Sequence, residues 1–251
     1  MILVHELTAY CDQLLEPGKF RDYCPNGLQI EGRAEINVIV SGVTASMALI
    51  EAAIEREADA LLVHHGYFWR GEPEPLVGMK QRRIKRLLGH DINLLAYHLP
   101  LDAHPELGNN ACLARRLDFE VEGSLNRENI GLYGRLRRPM TPSELTALIE
   151  QRLGRRPLRI ASGEDERVIE TIAWCTGGAQ RSIQQAADLG VDAYLSGEIS
   201  ESTVHVAREC GIDYFAAGHH ATERGGVEAL GDHLANQFGL RHEFVDIWNP
   251  A

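Results

Sequence analysis

The 251-residue sequence holds no apolar run of the roughly 18–20 residues that a membrane span needs. Its first helical pattern carries Glu6, Asp12 and Glu16 rather than the basic-then-apolar layout of a signal peptide. A cytoplasmic location and no membrane partner are therefore expected. The five cysteines, Cys11, Cys24, Cys112, Cys175 and Cys210, are dispersed, with no C-x-x-C pair. That spacing argues against a disulfide framework and against a thiolate-rich zinc site. There is no Walker A sequence, no G-x-S-x-G elbow and no dinucleotide fingerprint. Basic residues are in deficit: Lys plus Arg is 25 against 36 for Asp plus Glu, a net charge of −11. The deficit disfavours nucleic acid as a partner, although 80–86 and 135–138 are locally basic.

What remains is an ordinary globular composition, and its most informative feature is internal repetition. Val38-Ile39-Val40-Ser41-Gly42 reads as a buried strand, followed by a helical pattern over 45–57 and the apolar run Ala60-Leu61-Leu62-Val63. The second half replays this order with Ile172-Ala173-Trp174-Cys175, a helix over about 180–189, and Ala193-Tyr194-Leu195. Asp91-Ile92-Asn93-Leu94-Leu95-Ala96-Tyr97-His98 and Gly211-Ile212-Asp213-Tyr214-Phe215-Ala216-Ala217-Gly218 extend the match, and helices over 110–117 and 226–237 follow them. Strands alternating with helices indicate βαβ units. The expected architecture is α/β: two similar domains with mainly parallel sheets, at 1–125 and 126–251. Between the repeats, Ile130-Gly131-Leu132-Tyr133-Gly134 reads as a strand with close backbone contacts. Thr141-Pro142-Ser143-Glu144 is a helix start, Gly154 its stop, and 163–166 a polar loop.

In parallel α/β sheets, ligands bind beyond the carboxyl ends of the strands. His64 and His65 follow one apolar run. His98, Asp102 and His104 follow the next, Glu198 a third, and His219, His220 and Glu223 a fourth. His205 lies on the helix after Glu198, while His90, His233 and His242 read as exposed histidines without a role. Imidazole and carboxylate together are the donor set for zinc, manganese, iron or nickel. The surplus over one four-coordinate ion suggests two ions sharing a carboxylate. His219 and Glu223 stand four apart and share a face if the chain is helical there. Each feature taken alone has an ordinary explanation: a surface pair, a turn, a cap. The coincidence at four equivalent strand ends is what favours a site.

Weaker signals surround these residues. In Pro25-Asn26-Gly27-Leu28-Gln29, a turn signature, Asn26 and Gln29 are candidates for holding a polar substrate. Asn109, in Gly108-Asn109-Asn110 at a helix start, and Glu198 are further substrate-binding candidates. Tyr67, Phe68 and Trp69 read as an exposed aromatic run, suited to a stacking wall or a subunit contact. His98 is the candidate proton shuttle.

The combination of Pro25-Asn26-Gly27-Leu28-Gln29, His64-His65-Gly66-Tyr67-Phe68-Trp69, His98-Leu99-Pro100-Leu101-Asp102-Ala103-His104 and Gly218-His219-His220-Ala221-Thr222-Glu223-Arg224-Gly225-Gly226 resembles the NIF3-like family across essentially the whole chain. Bacterial members of that family carry the label GTP cyclohydrolase 1 type 2 homolog. The resemblance implies two similar α/β domains with a dinuclear metal centre between them, in a toroidal homohexamer. It implies His64, His65, Asp102, His219 and Glu223 as ligands of two divalent ions. The expected activity is metal-dependent hydrolysis of a nucleotide-like or heterocyclic small molecule. The alternative is a chaperone or scaffold for a metal or metallocofactor.

Overall fold

The computed structural model describes residues 1–163 and 167–251, so 164–166 of the expected polar loop lie outside the described residues. In chain order the first elements are β1 (Ile2–Leu3), α1 (Val4–Leu15), β2 (Gly27–Ile30), β3 (Glu35–Ile36), β4 (Val38–Thr44), α2 (Met47–Glu55), β5 (Ala60–His65), α3 (Gly78–Gly89), β6 (Asn93–Ala96) and α4 (Leu99–Ala103). Then come α5 (Asn109–Leu117), β7 (Phe119–Ser124), β8 (Leu132–Met140), α6 (Pro142–Leu153), β9 (Leu158–Ile160) and β10 (Ile169–Cys175). The last are α7 (Ile183–Asp188), β11 (Ala193–Ser196), α8 (Glu201–Cys210), β12 (Asp213–Ala216), α9 (His219–Phe238) and β13 (Arg241–Phe244). No described helix is long and apolar enough to cross a membrane.

The chain forms two compact units, Met1–Leu101 with Gly226–Trp248, and Asp102–Gly225 with Asn249–Ala251. The expected boundary near 125 is therefore corrected. β7 pairs with β8 and so belongs to the second unit, while β13 returns to pair in parallel with β4 in the first.

The sheet of the first unit has the order β13-β4-β5-β6-β2, and all pairings but the last are parallel. β4 and β5 are continuous apolar runs because they are buried on both faces. Ser46 caps α2, its Oγ accepting the N–H of Leu49 at 3.3 Å. Val40, Leu49, Ile50, Leu61, Val63 and Leu94 make the centre of the core. His242 of β13 is not an exposed bystander, because its side chain is only 3% exposed. Its Nε2 meets Ser41 Oγ at 2.8 Å and its Nδ1 meets Asp232 Oδ1 at 2.8 Å. Ser41 is wholly buried. This Ser–His–Asp chain therefore ties β13 and α9 to β4 rather than offering a nucleophile to a substrate.

The second sheet, β7-β8-β10-β11-β12-β9, is mixed, which corrects the expectation of mainly parallel pairing here. Only β10–β11 and β11–β12 are parallel. β7 and β8 are joined by a short loop, which permits an antiparallel pair, whereas a parallel pair needs a longer crossover. Gly134 lets the β7 backbone approach, since a Cβ there would collide with the Glu120 carbonyl. α6 starts and stops as the sequence predicts, with a Thr141–Glu144 capping box and Gly154 at φ 71. Trp174, Leu145, Ile149, Ile172 and Phe215 centre its main core.

The two halves share a device that supports the duplication. Asp59, just before β5, accepts the N–H groups of Asn37 and Val38 at 2.8 and 2.9 Å. Asp192, just before β11, accepts those of Glu170 and Thr171 at 3.0 and 2.9 Å. Each carboxylate thus pins the start of the neighbouring parallel strand. Replacing Asp59 with Ala orphans two donors and breaks the 2.8 Å pair with Arg33. A stranded buried donor costs about 1–3 kcal/mol, and these two are only part-buried, so urea unfolding of Asp59→Ala is expected to report a loss of about 1–2 kcal/mol. A loss below about 0.5 kcal/mol, the scale of a neutral surface change, would refute this role.

Candidate functional site

In the first unit, β5 ends on His64 and His65. The parallel ladder pairs Val63 with Ala96, so the strand end of β5 lies beside Tyr97 and His98. His64 is buried and its Nδ1–H donates to the Tyr97 carbonyl at 2.9 Å. The His65 Nδ1 meets Thr44 Oγ1 at 3.2 Å. The ring centroids of His64 and His65 are 4.6 Å apart, and that of His98 lies 5.0 and 5.7 Å from them. Ligand-capable atoms of the three imidazoles lie within 4.8 Å of one another. Neighbours on a regular strand point apart, so this convergence depends on the strand ending there.

His98 is gripped most firmly. Its Nδ1 lies 2.7 Å from Asp22 Oδ1, and its backbone N–H donates to Asn26 Oδ1 at 2.7 Å. Asn26 Nδ2 donates to the other Asp22 oxygen at 2.8 Å, as does the Leu99 N–H at 3.0 Å. Burial raises the Asp22 carboxyl, but the hydrogen bonds from His98 and Asn26 and the charge of His98 outweigh it and hold the group down at about 2. Gln29 clamps the next loop: its Oε1 accepts the Tyr67 N–H at 2.7 Å, and its Nε2 donates to the Pro25 and Tyr67 carbonyls at 2.8 and 3.1 Å. The amides of Asn26 and Gln29 are thus engaged with the protein itself. Of the aromatic run, Tyr67 is buried and its hydroxyl donates to the Ala45 carbonyl, because the loop folds back over the start of α2. Phe68 is exposed, at φ 64, and the Trp69 ring stands edge-on to His98 at 5.0 Å.

In the second unit, Asp102 is buried and its Oδ1 accepts Asn109 Nδ2 at 2.9 Å and Thr176 Oγ1 at 3.3 Å. Asn110 ties the same corner, donating to the Asp102 carbonyl at 3.2 Å and accepting the Thr176 N–H at 3.0 Å. α9 begins at His219, seven residues before the start that the sequence suggests. His219 and Glu223 therefore share a helical face, with Nε2 and Oε2 3.2 Å apart. Glu198 lies on the other side of the imidazole, 2.7 Å from Nδ1. Burial disfavours the charged His219, but hydrogen bonds and charge from Glu223 and then Glu198 hold it up at about 9. Two glycines admit this packing. A Cβ at Gly177 would collide with the Glu223 carboxylate, and one at Gly197 would lie 2.7 Å from the His219 Cα. Carboxylate oxygens of Asp102 and Glu223 lie within 4.8 Å, and both residues are buried. Like charges that close favour either a shared proton or a cation.

The arrangement fits a divalent transition metal. His64, His65, His98 and His219 are each engaged through Nδ1, which is how protein metal sites commonly fix an imidazole so that Nε2 faces the ion. Cys175 is a poor ligand, since burial first, and then the charges of Asp102 and Glu223, push its thiol up. Three other candidates have local work. His104 Nδ1 accepts the N–H groups of Glu106 and Leu107 at 3.2 and 3.0 Å, closing a turn. His205 pairs with Glu201 on the exposed face of α8 at 2.9 Å. The His220 N–H donates to the Ala251 carbonyl at 3.2 Å. Sequence reasoning missed Asp22, Asn110 and Thr176. Asp22 had one available signal: it stands four residues before Asn26, with which it shares His98.

The low Asp22 carboxyl predicts an acid-linked loss of stability. The group sits at about 2 when folded and at about 3.9 in an unfolded chain. Its contribution is complete above the unfolded value and is lost as pH falls from about 4 to about 2. Urea unfolding across that window is expected to show a shallower decline for Asp22→Asn than for the wild type. Parallel curves would contradict the assignment.

The family model for Duf34/NIF3 (NGG1p interacting factor 3) matches residues 2–250. The GTP cyclohydrolase 1 type 2 homolog of Pseudomonas aeruginosa is 57% identical over 253 residues, covering 100% of this chain and 99% of that protein. Among solved structures, protein ybgI, described as of unknown function, superposes with a TM-score of 0.96 at 49% identity over 100% of both chains. A second solved structure, TTHA1606 from Thermus thermophilus, does so at 0.90 and 35% identity, again over 100% of both.

Proposed function

The chain belongs to the Duf34/NIF3 family, and from that premise and its two donor sets we propose that it is a dinuclear metal-dependent hydrolase of nucleotide-like or heterocyclic small molecules. His64 and His65 of the first unit, and Asp102, His219 and Glu223 of the second, would hold the ions. The observation that carries this reading is the uniform engagement of the imidazoles through Nδ1, joined to two converging buried carboxylates. The name shared by the curated relatives, GTP cyclohydrolase 1 type 2 homolog, supports a heterocyclic substrate.

When bound, the ions supply a more acidic water and positive charge against the negative charge that develops on a substrate under attack. The protein's own groups do the rest. Asp102 contributes an anionic oxygen whose direction is fixed by Asn109 and Thr176. Glu198 orients His219 and, being exposed at its other edge, is suited to a donor group of the substrate. His98 accepts a proton from the attacking water at Nε2 and returns it to the leaving group. The Trp69 ring stands nearly perpendicular to that imidazole, with centroids 5.0 Å apart.

Asp102→Ala removes one charge and one ligand and leaves the histidines in place. Metal analysis of the reconstituted variant is expected to find at least one ion fewer per chain. Turnover on a panel of nucleotides and pterin precursors is expected to fall to near background while circular dichroism stays unchanged. Full turnover with one ion or none would sink the dinuclear hydrolase. Absence of turnover in the wild type, with rapid transfer of metal to an acceptor, would instead favour the metal carrier. The family resemblance further suggests a toroidal hexamer, with the exposed Phe68 as a contact. Light scattering at micromolar concentration is expected to return six chains, and a monomer would contradict it.

A further inference from the structure

Asp22 has no place among the proposed ligands, yet it is built into the first unit more rigidly than a loop residue needs to be. Its side chain is 4% exposed. Both oxygens are used: Oδ1 by the His98 imidazole at 2.7 Å and the Tyr23 N–H at 2.6 Å, Oδ2 by Asn26 at 2.8 Å and the Leu99 N–H at 3.0 Å. Its own carbonyl accepts Arg70 Nη2 at 2.9 Å. Asn26 adds a second grip, accepting the His98 backbone N–H at 2.7 Å. His98 is thus fixed at its backbone N–H and at Nδ1, with the Trp69 ring packed nearly perpendicular to the imidazole.

We propose that Asp22 is a positioning residue: it holds His98 as the Nδ1–H tautomer, so that Nε2 carries a lone pair beside His64 and His65. An ionised carboxylate has only acceptor sites, so the proton of the short contact must belong to Nδ1. A neutral imidazole then has one remaining lone pair, and it lies on Nε2. No other side chain hydrogen-bonds His98 Nδ1 among the described residues. Without Asp22 the ring is free to carry its proton on Nε2, where it would donate rather than accept. Asp22 therefore decides the sign of the hydrogen bond that His98 offers to a water or substrate. The use made of that lone pair rests on the hydrolase reading, but the tautomer does not.

The test is long-range ¹H–¹⁵N correlation on the full-length, zinc-loaded protein, with His98→Gln to assign the resonances. The wild type is expected to show His98 protonated at Nδ1, with a pyridine-like Nε2. Asp22→Ala is expected to lose that pattern in favour of the Nε2–H form. Asp22→Asn keeps a carbonyl acceptor and is expected to restore the Nδ1–H form. A role in folding alone would lower stability in Asp22→Ala without changing the tautomer. The inference is overturned if the wild type carries its proton on Nε2, or if Asp22→Ala folds and retains the Nδ1–H form. The wild-type spectrum decides even if Asp22→Ala does not fold. Because the readout needs no turnover, its failure cannot be confused with failure of the hydrolase reading.

Discussion

The chemistry of the first unit depends on the register of one parallel ladder. β5 lies between β4 and β6, with Val63 opposite both Gly42 and Ala96. That register sets the Tyr97 carbonyl where His64 Nδ1 can reach it, and Thr44 where His65 Nδ1 can. A slip of one residue would turn His64 and His65 to opposite faces from those they occupy. The Asp59 carboxylate fixes the other end of the same ladder by pinning the start of β4. The positions of His64 and His65 are therefore a consequence of backbone hydrogen bonding several residues away, whereas His98 is held by Asp22 and Asn26 from an irregular stretch.

The second unit reaches a comparable arrangement by a different route. Its donors come from a helix N-terminus and a buried corner rather than from a strand tip. α9 starts at His219, one turn before Glu223, so helix geometry alone brings the pair together. Gly177 and Gly197 are required because the backbone passes too close to this pair for a side chain. Asp102 is held by side chains from α5 and from the loop after β10, which converts a turn residue into a fixed acceptor.

Much of this was legible in the sequence because periodicity and strand ends are local signals. The strands at 38–44, 60–65, 169–175 and 193–196 announce themselves as apolar runs. His64, His65, His98, Asp102, His219 and Glu223 stand just beyond such runs or on the helix that follows. What was not legible depends on pairing between distant segments. β13 joins β4 across more than two hundred residues, so neither the unit boundary nor the burial of His242 leaves a local trace. The antiparallel edge made by β7 and β8 differs from a parallel one only in its short connection. Asp22 sits in an irregular stretch with no period to mark it. Its role appears only once His98 is folded against it.

Burying Asp102, Glu223 and Asp22 is unfavourable in itself, since a carboxylate loses hydration that neutral neighbours do not replace. The fold tolerates them because its cores lie elsewhere. Each fully buried Leu, Ile, Val or Phe contributes about 1.5–3 kcal/mol, and both units have many, from Val40 and Leu61 in the first to Ile149 and Phe215 in the second. Hydrogen bonds offset the rest differently at each acid. Asp22 accepts four hydrogen bonds, from His98, Tyr23, Asn26 and Leu99, and its carboxyl is held down at about 2. At Asp102, Asn109 and Thr176 supply an amide and a hydroxyl. Such donors fix the direction of a carboxylate's oxygens, as the partners of a metal ligand do. His98 has a full carboxylate behind it, whereas His64 is backed by a peptide carbonyl. A carboxylate behind an imidazole fixes the ring and the nitrogen that carries the proton. A backbone carbonyl behind it, as at His64, fixes the ring in the same way. His219, a proposed ligand, has the Glu198 carboxylate behind it as well, so what stands behind a ring orients it without deciding its role.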